Sequence, residues 1–254
     1  MVGFSTSSSI ASVAVFVGDT LVATARNDHQ KLHAERLFSL LDECLARADV
    51  KRADIAILAC DVGPGSFTGV RVGVAAATGI AMGLRLKSPP AELQCVGVHG
   101  LLALATLAGS DAKRAIAAVD GQKGQVFFIH ADAPAGRYEV LVEERARYVE
   151  LARAARAAGS VLVGDLHGAL GFAEGEFVPG AVDAELICRV AAGMGTQPVG
   201  PTVGPTVGPT VGPTSWTIEG CVSSDDPSIA LVPIYGREAD ATRLTDRDPH
   251  PHRG

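Results

Sequence analysis

The chain has 254 residues, 47% of them hydrophobic, enough for one large domain or two modest ones with real cores. A formal charge of -6 and a pI near 5.6 argue against a surface that condenses on nucleic acid by itself, because that affinity comes from lysine and arginine displacing counterions. The scattered cysteines Cys44, Cys60, Cys95, Cys188 and Cys221 contain no C-x-x-C pair, which fits reduced, buried thiols rather than a disulfide framework or a zinc site.

The first nine residues lack a basic flank and a long apolar core, so no secretory signal is expected. Glycines and polar residues interrupt the apolar stretches before the roughly 18 residues that a membrane span requires, and a cytoplasmic location follows as the expectation. Residues 10 to 26 read as two β-branched strands joined at Gly18-Asp19. Leu32, Leu37, Leu40, Leu41, Cys44 and Leu45 then recur at helical spacing, predicting an amphipathic helix over about 31 to 47 that covers the sheet. "DIAILACDV" supplies a buried strand, followed by a glycine-rich loop and a helix from about Thr68 to Gly83. Residues 94 to 98 predict a strand and 99 to 109 a helix.

From Ala115 the pattern restarts with a hairpin across Gly121 to Gly124, a strand in "YEVLV", a helix in "ARYVELARAARAAG" and a strand in "SVLVG". Two successive sheet-plus-helix units describe an α/β protein of two related lobes, divided as 1–110 and 111–254. "VDAELICRVAAGMG" predicts a last helix, and "SIALVPIY" a last strand before a polar tail. Between them, residues 199 to 214 repeat "VGPT" four times; proline at every fourth position removes backbone donors, so a flexible insertion is expected.

The glycine loop invites a phosphate-cradle reading, but Gly63, Gly65 and Gly69 do not have the G-x-G-x-x-G spacing, and the Walker lysine is absent. The helix after it carries Gly69, Gly73, Ala76, Ala77, Gly79, Ala81 and Gly83. Each glycine inside a helix costs about 0.8–1 kcal/mol against alanine, so something must offset the loss. Close approach of another backbone does so, from this lobe or from a second chain. Asp28, His29, His33 and Glu35 form a small cluster in which His29 and His33 would face the same way on a helix, but two ligands do not make a metal site and the residues read as a helix start capped by Asp28. His250 and His252 in the tail make a poor metal site. Asp120 stands at a strand tip where an acid can act in catalysis or simply close a turn. No serine–histidine–acid set or paired carboxylates stand out.

"GPGSFTGVRVGVAAATGIAMGL" strongly resembles the signature of the bacterial TsaB (YeaZ) family. "FSTSSSIASVAV" is similar to that family's first hairpin, "HAERLFSLL" to its next helix, "AVDGQKGQVFF" to its second hairpin and "VPIYGREADA" to its closing motif. The resemblance implies an ASKHA-type fold of two ribonuclease H-like lobes, with mixed sheets flanked by helices. It also implies a non-catalytic subunit that binds a TsaD-type partner, with a TsaE-type ATPase, in making threonylcarbamoyladenosine beside the anticodon of tRNA. On that reading tRNA is met through the complex and no membrane is involved. ATP and metal belong to the partner subunits, no cofactor is bound by this chain alone, and self-association uses the same surface. The partner-binding residues expected from it are His33, Leu37, Gly69, Arg71, Val72, Gly73, Ala76, Ala77 and Ile80, with Gly69, Gly73 and Ala77 at the closest approach. A contact of four helices would bury on the order of 1,200–2,000 Å².

The sequence departs from that family at Ser5, where the first strand of such proteins carries an aspartate, at Gly121 and Gln122 in the second hairpin, and at Gly236 in the closing motif. The missing acid at position 5 speaks against ATP hydrolysis by this chain. The alternatives from other classes are an ATP-using enzyme of the same fold, a protease acting on its partner, and a direct tRNA binder.

Overall fold

Runs rich in valine, isoleucine and phenylalanine build two mixed sheets, because β-branched and aromatic residues fit a pleated, buried surface. The computed structural model describes residues 1–27, 33–87, 93–109, 114–132, 137–193, 215–219, 222–224, 227, 231 and 233. Strand β1 (Val2–Ser5) pairs antiparallel with β2 (Ala11–Val17), which pairs with β3 (Thr20–Asn27) across the expected turn, where Gly18 takes a φ of +58°. β4 (Ile57–Asp61) runs parallel to β1, and β5 (Gln94–Val98) parallel to β4. Helix α1 (His33–Ala48) buries Leu37, Leu40, Leu41, Cys44 and Leu45, the stripe that its period marks out. Helix α2 (Phe67–Lys87) lies beside α1 on the same face. Helix α3 (Gly100–Ala105), extended by a 3-10 turn over Thr106–Ala108, follows β5.

The second half repeats the pairing scheme. β6 (Arg114–Gln122), β7 (Gln125–Asp132) and β8 (Arg137–Glu144) form an antiparallel meander. Helix α4 (Arg145–Ala157) crosses over to β9 (Val161–Val163), which is parallel to β6. These are the relations of β1, β2, β3, α1 and β4 over again, so the duplication expected from the sequence is a duplication of topology. Short helix α5 (Leu166–Ala169) and helix α6 (Ala184–Gly193) follow, then β10 (Ser215–Glu219) on the edge of the second sheet beside β8.

The chain does not stay in the second lobe. Helix α6 packs on β1, β2 and β4, and a final strand β11 (Val222–Ser224) pairs antiparallel with β5. Both lie after the expected division at residue 110 and pack with the first sheet. Strand order is β11-β5-β4-β1-β2-β3 in the first sheet and β10-β8-β7-β6-β9 in the second. Helix α3 packs on β6 and β7, so α3 and α6 fill the space between the sheets while α1 and α2 cover the opposite face of the first one. The two mixed sheets flanked by helices make an α/β fold of two ribonuclease H-like lobes.

The VGPT tract and the tail with His250 and His252 lie outside the described residues, as do Gly236 and most of the strand expected at 228–235. Of that stretch, Leu231 is buried in the core of the first lobe. One expectation needs correction. Residues Phe67–Leu86 form a helix that is, by length and composition, long and apolar enough to cross a membrane. Glycine and threonine do not interrupt it, because tertiary packing on the sheet outweighs their poor helix propensity. Its Val70, Val74, Ala77 and Ala81 belong to the first core.

Candidate functional site: the two faces of helix α2 and the interlobe cleft

The glycine loop joins β4 to α2 and is clamped at both ends. Asp61, the last residue of β4, is buried; its Oδ1 accepts from the Gly63 amide at 2.9 Å and its Oδ2 accepts from the Ser5 hydroxyl at 2.9 Å and from the Ser7 hydroxyl. Burial pushes the Asp61 carboxyl above the usual aspartate value, and the hydrogen bonds from Ser7, Gly63 and Ser5 pull it back. The Ser66 amide donates to the Ser7 carbonyl at 2.7 Å, and the Thr6 hydroxyl donates to the Gly69 carbonyl at 2.7 Å. The first turns of α2 are thus laced to the end of β1.

That lacing explains the first glycines. A Cβ on Gly69 would stand 2.0 Å from the Thr6 carbonyl oxygen, one on Gly73 2.4 Å from Thr6 Oγ1, and one on Gly65 2.5 Å from the Ser7 carbonyl oxygen. The close approach expected at Gly69 and Gly73 therefore exists, but it is made to this chain's own Thr6, just past β1; both are buried, as are Ala76 and Ala77. Val72 and Ile80 are half-buried against the first core, and Leu37 lies inside it. Of the expected partner-binding residues whose side chains are described, only Arg71 is exposed, its guanidinium 5.3 Å from the centre of the Phe67 ring. His33 opens α1, while its side chain, that of Glu35, and Asp28 and His29 lie outside the described residues.

The outward face of α2 carries a different set. Thr68, Arg71, Ala75, Gly79, Met82, Gly83 and Leu86 are exposed and, apart from the adjacent Met82 and Gly83, follow one another at three- and four-residue steps. Met82 is 57% and Leu86 85% exposed, and among the described residues nothing lies within 4 Å of a Cβ built on Gly79 or Gly83. Phe38 on the neighbouring α1 is 49% exposed. The residues singled out by the sequence on this helix thus fall mostly on its inward side, and the exposed ones beyond Arg71 are not among them. Val70, Val74, Ala77 and Ala81, read as the inward stripe, would have fixed the outward one.

A cleft of about 290 Å³ opens between the lobes, lined among others by Ser7, Ser8, Ser9, Ser66, Asp120 and Asp165. Asp120 accepts from the Gln122 amide at 2.9 Å and pairs with Arg145 at 3.1 Å, so its carboxylate closes the turn into β7. Asp165 Oδ1 accepts from the Gly180 amide at 2.7 Å. The segment from 178 to 184 straps the lobes together. The Gly164 amide donates to the Val178 carbonyl on one side, while Ser5 and Ser8 reach the Val182 carbonyl and the Ala184 amide donates to Ser12 on the other. Among the described residues no group of three or more His, Cys, Asp or Glu is arranged to hold a metal ion. Cys44, Cys60, Cys95 and Cys188 are buried, and burial pushes the Cys44 thiol up to about 11.

A family model described as TsaD, tRNA N6-adenosine threonylcarbamoyltransferase, matches residues 26–162, more than half of the chain. The tRNA threonylcarbamoyladenosine biosynthesis protein TsaB of Escherichia coli (strain K12) is 37% identical over 98 residues, 38% of this chain and 39% of that protein. The protein of the same name from Haemophilus influenzae is 36% identical over 101 residues, 39% of this chain and 40% of the relative. The chain thus matches about two fifths of the length of these curated relatives. The solved structure of YeaZ from Pseudomonas aeruginosa superposes with a TM-score of 0.56 at 21% identity, covering 75% of this chain and 89% of that one, which is a likeness of fold. The chain belongs to the family described by the TsaD model, and the curated proteins it resembles within that family carry the name TsaB.

Proposed function

We propose that this chain is the non-catalytic, TsaB-type subunit of a cytoplasmic complex that forms threonylcarbamoyladenosine on tRNA, and that it docks a TsaD-type subunit on the outer face of α2 and α1. The observation that carries the reading is the exposed stripe of α2. A domain that leaves Met82 and Leu86 open, beside glycines with empty space above them, has a surface shaped for another helix. Small residues at 75, 79 and 83 let two helix axes come close, and flanking Met82, Leu86 and Phe38 supply apolar area. Arg71 at the rim contributes specificity through a carboxylate on the partner. A second copy of this chain can occupy the same face when the partner is absent.

ATP and metal are assigned to the TsaD-type and TsaE-type subunits, and tRNA is reached through the complex. Two features favour a binding role over an enzymatic one. The Asp61 carboxylate is consumed by internal hydrogen bonds, and Asp120 is consumed by its turn and by Arg145. The experiment is reconstitution of tRNA modification from TsaD-type and TsaE-type subunits with and without this chain. Modification that depends on the chain supports the reading, and full modification without it overturns it.

A further inference from the structure

Asp61 is a buried carboxylate with no cation beside it among the described residues, an expensive arrangement that persists only when its hydrogen bonds are supplied. Its hydrogen-bond partners come from two places, and a third element packs beside it. Ser5 and Ser7 belong to the end of β1, Gly63 belongs to the loop into α2, and a Cβ on Gly100, the first residue of α3, would lie 3.1 Å from its Oδ1. The Gly100 amide in turn donates to the Gly63 carbonyl at 2.9 Å. Ser5 Oγ also sits 3.2 Å from the Val182 carbonyl, so the same cluster touches the strap between the lobes. Of the residues that Asp61 holds, Ser7 forms the floor under Gly65, and Thr6, which lies between the held Ser5 and Ser7, forms the floor under Gly69 and Gly73.

We propose that Asp61 is the positioning residue of helix α2, fixing the turn after β1 and the loop at Gly63 relative to each other so that the outward stripe is presented in one orientation. Part of the test rests on the reading of that stripe as a partner surface. The carboxylate does this by accepting from both strand ends at once, a task that neither Ser5 nor Ser7 performs alone, since each hydroxyl has one proton to give. Because Ser5 Oγ and Asp61 Oδ2 meet at 2.9 Å from adjacent parallel strands, an acid supplied from position 5 reaches the same point. The exchange Ser5→Asp with Asp61→Ser therefore keeps a serine–aspartate contact between positions 5 and 61 with the acid moved to the other strand.

The test compares the full-length wild type with Asp61→Ala, Asp61→Ser and the double variant Ser5→Asp/Asp61→Ser. It reads amide hydrogen exchange at residues 62–73, with α4 as the internal reference, and affinity for a TsaD-type subunit. Loss of the carboxylate is expected to speed exchange at 62–73 by roughly tenfold or more with α4 unchanged. It should weaken partner affinity by roughly tenfold, and the double variant should restore both. Unchanged exchange at 62–73 in Asp61→Ala overturns the proposal, as does a folded double variant whose α2 exchange stays as fast as in Asp61→Ser. Should the single variants not fold, the double variant decides alone. If the wild type fails to bind the partner, the functional reading fails while the exchange measurement still judges Asp61.

Discussion

The two faces of α2 use the same small residues for opposite purposes. On the inward face Gly69 and Gly73 are glycines because Thr6, at the end of β1, occupies the volume of a side chain, 2.0 and 2.4 Å from where each Cβ would stand. On the outward face no described residue comes within 4 Å of a Cβ built on Gly79 or Gly83, and no contact among the described residues requires a glycine there. A glycine whose absence of side chain is enforced by its own fold is a structural necessity. A glycine that costs helix propensity with no internal neighbour needs an external reason, and a docked helix supplies one.

The contrast breaks first at Gly69. Gly69→Val sets a branched side chain against the Thr6 backbone, and neither strand nor helix can yield without losing the hydrogen bonds between them. The expected cost exceeds about 4 kcal/mol, read as loss of the cooperative thermal transition or of soluble protein. Gly73→Leu should behave similarly, so lost partner binding in that variant reports on the fold. Met82→Lys on the other face should leave the unfolding midpoint within about 0.5 kcal/mol of the wild type yet abolish measurable capture of a TsaD-type subunit. Gly79→Ala should raise stability by up to about 1 kcal/mol in denaturant unfolding, because alanine has the higher helix propensity and its methyl meets no described residue.

The second lobe offers a pH-dependent counterpart. His167 is buried, its Nδ1 3.0 Å from the Gly164 carbonyl and its Nε2 2.6 Å from the Tyr148 hydroxyl. Burial holds it below the usual histidine value, against a smaller opposite pull from the Gly164 carbonyl. The unfolded chain therefore takes up a proton first. The stability that neutral His167 contributes is complete above about pH 6.5 and drains away as pH falls toward the lower folded value. Asp61 acts with the reverse sign: its raised carboxyl contributes stability at low pH that is lost as pH rises through its folded value. Urea midpoints between about pH 7.5 and 5.5 should fall for the wild type and flatten, at a lower level, in His167→Asn. The smallest effect is expected for Arg71→Ala, which removes a cation–π contact worth about 0.5–1 kcal/mol at an exposed site.

Much of this architecture is legible in the sequence. The leucine spacing of α1, the β-branched runs of β2 to β5 and the restart at Ala115 each carry a period that the structure keeps. β10 and β11 are not legible, since each exists only by pairing with a strand more than 70 residues away, at β8 and β5. α6 reads correctly as a helix, but its place on the first sheet depends on the strap from 178 to 184, whose hydrogen bonds have no local signature. Helix α2 stands out in the sequence because its glycines are costly. Its two faces are confused there because glycine and alanine differ too little from one another in polarity to tell inside from outside. Asp61 stayed hidden within a strand, where only the meeting of two parallel strand ends reveals what it holds.

The most direct measurement is the dissociation constant of a TsaD-type subunit for wild type and for Met82→Lys, with thermal unfolding of both proteins alongside. The account predicts a loss of at least roughly a hundredfold in affinity at unchanged thermal stability. Equal affinity in the two proteins would contradict the assignment of the outward face of α2 as the partner surface.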